Sequence, residues 1–190
     1  GSGHILVYAF DVLMDIYSNL GYSNRDAVQS ILENNIYGLD IDKRAYQLAY
    51  FALMMKAREY YKRIFSKKLE LNICYTRESK DINKEIIDFI SNGNNKIKDE
   101  LDLIYNSFLD AKEYGSLIEA PKIDYNEIKN RLLEIENTDF YNLFDELKKE
   151  EIKNKFYYVI KTSEILSKKY EVVATNPPYM GSSIMDSKLS

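Results

Sequence analysis

The chain has 190 residues, 45% of them apolar, which is enough to bury a real core in one domain of ordinary size or slightly more, so disorder as the default is excluded. Its 26 Lys+Arg stand against 30 Asp+Glu, and a net charge of −4 rules out a global basic field, so any contact with DNA has to be local. One Cys (Cys74) and one His (His4) leave no disulfide framework, no Cys/His zinc site and no Ser-His-Asp or Cys-His centre apart from one drawing on that His. No metal is expected, and the chemistry falls to Asn, Asp, Glu, Tyr, Lys or backbone groups. The longest apolar stretches, residues 5–10 and 48–55, are far shorter than the roughly 20 residues of a membrane span, and no signal-peptide pattern opens the chain. The expectation is a soluble protein in a reducing, cytoplasmic compartment with no membrane partner.

In chain order, Ile5, Leu6, Phe10, Leu13, Ile16, Tyr17 and Leu20 recur at helical spacing, and Gly21 follows as a stop, which predicts a helix over 4–20. A shorter helix over 25–33 leads into Asn35-Ile36-Tyr37-Gly38-Leu39-Asp40, an apolar run ending on an acid that reads as a buried strand. Asp42 then has the chemistry of an N-cap for a long helix over 43–65, free of Gly and Pro. That helix is apolar at first and later turns basic with Lys56, Arg58, Lys62, Arg63, Lys67 and Lys68. Residues 69–75 are the next strand candidate and 170–175 the third, running directly into Asn176-Pro177-Pro178-Tyr179. The alternation of strand, helix and strand predicts an α/β chain with a parallel sheet.

Residues 80–169 differ in kind. Helical patterns near 81–92, 96–114, 124–136 and 139–168 are punctuated only by Gly93, Gly115 and Pro121. The segment carries 15 Lys+Arg and 19 Asp+Glu, the whole of the net charge. A crossover in an open sheet usually needs one helix, so the expectation is a helical insertion (80–169) between the first part of an α/β core (1–79) and a last strand with its loop (170–190). Its negative balance suits a scaffold or protein-contact element better than a DNA-facing surface.

The Asn176-Pro177-Pro178-Tyr179 loop is the most informative feature. Two prolines remove backbone donors and stiffen an extended segment, fixing a row of acceptors that suits a planar amine. Acceptors on both N–H bonds, the Asn176 side-chain oxygen and the Pro177 carbonyl, favour the pyramidal, nucleophilic form of an otherwise delocalised amino group. Tyr179 is placed to stack on the base that carries it. A simple strand-ending turn is the plainer alternative. At the other end, Gly1-Ser2-Gly3-His4 opening a helix is compatible with a glycine turn that lets a cofactor approach the backbone, and equally with a cloning scar. His4 reads as a packing or helix-start residue. Asp40 ends the strand after that turn, where nucleoside-binding α/β folds hold ribose hydroxyls, and Ile41 is placed to cover an adenine face. The glycine turn lies about 37 residues upstream, where the usual separation is about 20, which keeps a pure capping role for Asp40 and Asp42 open. The basic cluster at 56–68, with Tyr60, Tyr61 and Phe65, is either a phosphate contact or a solvated helix end.

Taken together, residues 1–11 (GSGHILVYAFD), 37–42 (YGLDID) with 52–58 (ALMMKAR), and 176–181 (NPPYMG) resemble the S-adenosylmethionine-dependent N6-adenine DNA methyltransferases. Among these they look most like the PglX-type enzymes of BREX phage-defence systems and the related large restriction-modification proteins. The resemblance implies a Rossmann-like methyltransferase core, here an incomplete parallel sheet with a large helical insertion, and S-adenosylmethionine as cofactor. It implies that Gly1 and Gly3 line the methionine part of the cofactor, Asp40 holds the ribose and Ile41 packs on the cofactor adenine. Asn176, Pro177, Pro178 and Tyr179 would form the catalytic loop for an adenine flipped out of double-stranded DNA, with direct methyl transfer to N6 and no metal. Protein partners from a defence system fit the same resemblance. The family's strand and Asp-Pro-Ala-Cys segment before the glycines, its later strands and a target-recognition domain are absent, so the 190 residues alone are expected to be inactive. Tyr75 and Glu78 stand where the contact to the cofactor's amino group is expected. Two other readings stay open: a protein-glutamine N5-methyltransferase, which shares the Asn-Pro-Pro-Tyr logic for a planar amide, and a non-catalytic fragment acting as an interaction module.

Overall fold

The computed structural model describes residues 1–67 and 69–175. The protein is a mixed α/β chain, mostly helical, with a small two-stranded parallel sheet. It divides into two compact units, one comprising residues 1–75 with 171–175 and the other residues 76–170.

In the first unit, α1 (His4–Asn19) starts directly after Gly3, whose left-handed backbone (φ 79°) forms its N-cap. Ser23 caps α2 (Asn24–Ser30) by accepting from the Asp26 N–H at 3.2 Å. The helix continues into a π-turn over Ile31–Asn35, closed by the Ile36 N–H donating to the Ile31 carbonyl at 3.0 Å. That wider turn leaves Ile31, Leu32 and Ile36 all buried, and it delays the first strand, β1, to Tyr37–Asp40. Asp42 caps α3 (Lys43–Tyr60) as its sequence suggests, accepting from the Arg44 N–H at 2.8 Å.

α3 ends five residues earlier than its composition predicts. Tyr61 is extended, and the chain turns back so that Ile64, in a short 3-10 turn over Ile64–Ser66, is fully buried. Burying one isoleucine outweighs one more solvated helical turn, since full burial of such a side chain contributes about 1.5–3 kcal/mol. β2 (Asn72–Tyr75) pairs parallel to β1 in the register Tyr37 with Asn72, Gly38 with Ile73, Leu39 with Cys74 and Asp40 with Tyr75. The parallel pairing expected from the alternation is therefore present, with α1 and α3 packed together and α3 against both strands. Phe10, Met14, Val28, Ile31 and Leu53 form the centre of this core.

The third strand predicted over 170–175 is not formed. Val172 and Val173 are 84% and 73% exposed, and among the described residues the sheet consists of β1 and β2 alone. A Val-Val pair favours a strand only where a neighbouring strand supplies the ladder and a packed face, and here it has neither.

The second unit is helical: α4 (Glu85–Ser91), α5 (Asn95–Ser107), the short α6 (Ala111–Tyr114), α7 (Tyr125–Glu136), α8 (Leu143–Glu151) and α9 (Tyr157–Ser167), the last two joined by a π-turn over Ile152–Phe156. It has its own core, with Ile86, Ile90, Leu101, Ile104, Phe108 and Phe156 almost wholly buried. Asn92 and Gly93, both at positive φ, break the chain after α4, and Asn94 caps α5 by accepting from the Ile97 N–H at 3.3 Å. Inside, the Tyr125 hydroxyl donates to the Pro121 carbonyl at 2.9 Å and lies 2.7 Å from the Ser163 hydroxyl, so this buried pair satisfies itself.

Candidate functional site

The C-terminal edge of the parallel sheet in the first unit gathers the residues of interest. α1 begins there on Gly3, β1 ends there on Asp40, and α3 starts there on Lys43. Of the two predicted glycines, Gly1 stands beside the predicted acid, Asp40, and Gly3 rests on α3. The Asp40 carboxylate oxygen Oδ1 accepts the Asp42 N–H at 2.8 Å. The Asp40 side chain is 27% accessible, oriented by one backbone donor and still reachable. Asp42 is occupied with capping α3, so the two acids have different local partners.

Gly3 is required by space as well as by its positive φ. A Cβ at this position would stand 2.7 Å from both Cα and Cβ of Ala49 on α3. The turn therefore rests directly on that helix, and Ala49 is itself buried. Gly38 carries a second close approach: its Cβ would lie 2.9 Å from Leu6 of α1 and 2.9 Å from Ile73 of β2. Together the bare glycines and Ala49 let α1, β1 and α3 converge. Sequence reading missed Ala49 and Gly38, because an alanine in an apolar helix and a glycine in a strand carry no signal until their neighbours across the fold are known.

Ile41, next to Asp40, is 52% exposed, a position open to a flat ligand face. Tyr75, level with Asp40 across the ladder, is buried, with Tyr46 of α3 at 5.5 Å between ring centroids and the Lys43 ammonium 5.8 Å from its ring. Glu78 lies in the second unit, where it pairs with Lys80 at 3.1 Å. His4 is exposed at the first position of α1, with Nδ1 3.2 Å from the Ser2 hydroxyl, so it is a helix-start residue. Asn176, Pro177, Pro178 and Tyr179 lie outside the described residues. Among the described residues no group of His, Cys, Asp and Glu is arranged to hold a metal ion, and no helix is long and apolar enough to cross a membrane.

Lower on the same unit, Asp11 of α1 joins α1 to the end of α3. It accepts from the Tyr60 hydroxyl at 2.8 Å and pairs with Lys56 at 2.9 Å, while Lys56 also meets Glu59 at 2.9 Å. Hydrogen bonds to Glu59 and Asp11 hold the Lys56 ammonium well above its ordinary range, and the bond to Asp11, then burial, pushes the Tyr60 phenol up.

The C-terminal edge of the sheet thus brings together a glycine turn, an acid at a parallel strand's C-terminal end and an exposed apolar residue beside it. Residues 34–190 match the model of the Eco57I restriction-modification methylase family, to which the chain belongs. It is 39% identical over 196 residues to the adenine-specific methyltransferase PglX of Lacticaseibacillus casei (strain Zhang), and 37% identical over 212 residues to the adenine-specific methyltransferase BrxX of Escherichia coli O9:H4 (strain HS). Each match covers all of this chain, residues 1–3 included, and 16% and 17% of the relatives' lengths. The chain thus spans about a sixth of the curated relatives it matches.

Proposed function

We propose that the chain forms the cofactor edge and the target-base loop of a site-specific DNA adenine-N6 methyltransferase acting in phage defence or restriction-modification. The observation that carries this reading is the oriented, partly accessible Asp40 carboxylate at the C-terminal end of β1, at the same edge as a Gly3 turn that rests on α3, in a chain of the Eco57I family. The adenine specificity named for its PglX and BrxX relatives favours DNA over a protein glutamine as acceptor. In this reading the first unit is part of a Rossmann-like methyltransferase core and residues 80–169 are a helical insertion in it.

The edge suits S-adenosylmethionine on its own chemistry. Gly3 presents bare backbone where a Cβ would have no room, Asp40 keeps a partly accessible oriented carboxylate, and Ile41 offers an exposed apolar surface. When bound, the cofactor supplies an electrophilic methyl group on a positively charged sulfur. Gly1 and Gly3 give its methionine part access to backbone groups, Asp40 accepts hydrogen bonds from the ribose hydroxyls, and Ile41 covers the adenine. Asn176 and the Pro177 carbonyl accept both N–H bonds of the target adenine's amino group, making its lone pair available, while Pro178 stiffens the loop and Tyr179 stacks on the flipped base. Unstacking that base costs a few kcal/mol, which the stacking and hydrogen bonds offset. Duplex DNA is the substrate, and proteins of a defence system are partners suited to the acidic insertion.

The full-length protein, methyl-labelled S-adenosylmethionine and duplexes with or without adenine test this. Transfer is expected to adenine-containing DNA only. Equal transfer to duplexes built from G·C pairs overturns the proposal.

A further inference from the structure

A helix lying on a core turns its apolar side chains inward and its charged ones outward. In the second unit α8 does the reverse. Leu143, Phe144 and Leu147 are 70%, 73% and 57% exposed, and α8 has no buried residue. Its charged side chains hold it to the body instead. Lys148 lies 5.1 Å from the centre of the Phe89 ring and pairs with Asp145 at 3.6 Å. Lys149 lies 5.9 Å from the centre of the Phe140 ring and donates to the Thr138 carbonyl at 2.8 Å. Phe89 and Phe140 pack in turn against the core of the unit. The three apolar side chains, at i, i+1 and i+4, are thereby left together on the outward side, with Tyr141 fully exposed just before the helix.

One side of this face is acidic. Glu146 and Glu150 follow Leu143 and Leu147 by three residues each and so run beside them along the helix. Among the described residues no Lys or Arg pairs with either, whereas Asp145 and Glu151 are matched by Lys148 and Lys155. An apolar helical face with uncompensated carboxylates along its border repels a polyanion and complements an apolar groove with a basic edge.

We propose that α8 docks, through Leu143, Phe144 and Leu147, into an apolar groove edged by Lys or Arg on the remaining part of the same full-length polypeptide. The two curated relatives are matched over only 16% and 17% of their lengths, so most of a protein of this kind lies beyond these residues. A groove on the same chain meets α8 at an effective concentration of about millimolar, which favours it over a separate protein or a second copy. Docking also removes from water an apolar face that a soluble protein rarely leaves open. The inference goes beyond the methyltransferase reading and does not depend on it.

The test places a thiol on the face, as Phe144→Cys and separately as Leu147→Cys, in the full-length protein. Labelling by a maleimide is followed by peptide mass mapping, which separates these sites from the buried Cys74. Both thiols should react about tenfold or more slowly in the native than in the urea-unfolded protein, because a docked face reacts only when it opens. Glu146→Gln/Glu150→Gln in either background should speed native labelling, and added salt should do the same without the substitutions, since both weaken the attraction to a basic edge. Native labelling as fast as unfolded at both positions overturns the proposal. So does protection that grows with protein concentration, which assigns the face to a second copy, and so does protection indifferent to both Gln substitutions and salt, which removes the basic edge.

Discussion

The Asp42 backbone N–H holds Oδ1 of Asp40 at 2.8 Å, while the Asp42 carboxylate turns the other way to cap α3 through the Arg44 N–H, also at 2.8 Å. Two acids separated by one residue thus have different partners: Asp42 closes a helix end, and Asp40, in the reading proposed above, serves the cofactor. Asp40→Ala should weaken S-adenosylmethionine binding by about 1.5–3 kcal/mol, the range of a hydrogen bond to a charged group, with a smaller change in thermal stability. Asp42→Ala should do the reverse, costing about 1 kcal/mol of stability as a missing cap. Calorimetry and thermal unfolding on both variants separate the roles, and an unchanged dissociation constant for Asp40→Ala reduces it to a turn residue.

Gly3→Ala should perturb both cofactor affinity and folding. The left-handed backbone costs a non-glycine residue about 1–2 kcal/mol, and the new methyl meets Ala49 on the body of α3, which has no flexible end to swing away. Ala49→Gly in the same background opens space below the turn and should recover part of the affinity. Absence of any recovery would show that the approach to α3 does not set the position of the turn.

Much of this arrangement is legible in the amino-acid sequence. Asp42 stands out as a cap because an acid before an uninterrupted helical run has few other uses, and the acid-tipped strand ending at Asp40 differs plainly from its apolar surroundings. The end of α3 is not legible, since Lys62 and Arg63 suit a helix as well as a turn and only the buried position of Ile64 decides between them. The strand expected over 170–175 fails for the opposite reason: Val172 and Val173 have strand propensity, but pairing needs a neighbour that local sequence does not encode.

The Asp11, Lys56 and Tyr60 cluster should make stability fall at high pH. Both Lys56 and Tyr60 are held above their ordinary values of 10.5 and 10.0 in the folded protein, so the folded state keeps protons that the unfolded chain releases. Their stabilising contribution is complete below about pH 10 and disappears progressively as the pH rises past it. Asp11→Asn removes the shared acceptor charge and should flatten that decline. Chemical denaturation between pH 8 and about 11 reads it, and identical slopes for wild type and variant contradict the linkage.

Asn176→Ala and Tyr179→Ala in the full-length protein should each abolish adenine methylation while leaving S-adenosylmethionine affinity within about threefold, since the proposed function assigns both residues to the target base and neither to the cofactor. Equal loss of cofactor binding in both variants would assign the loop a structural part.

The most direct measurement is mass spectrometry of the nucleosides from mixed-sequence duplex DNA after incubation with the full-length protein and methyl-labelled S-adenosylmethionine. The account predicts label in N6-methyldeoxyadenosine and in no other nucleoside, with none on protein; label on a glutamine side chain, or on cytosine, would contradict it.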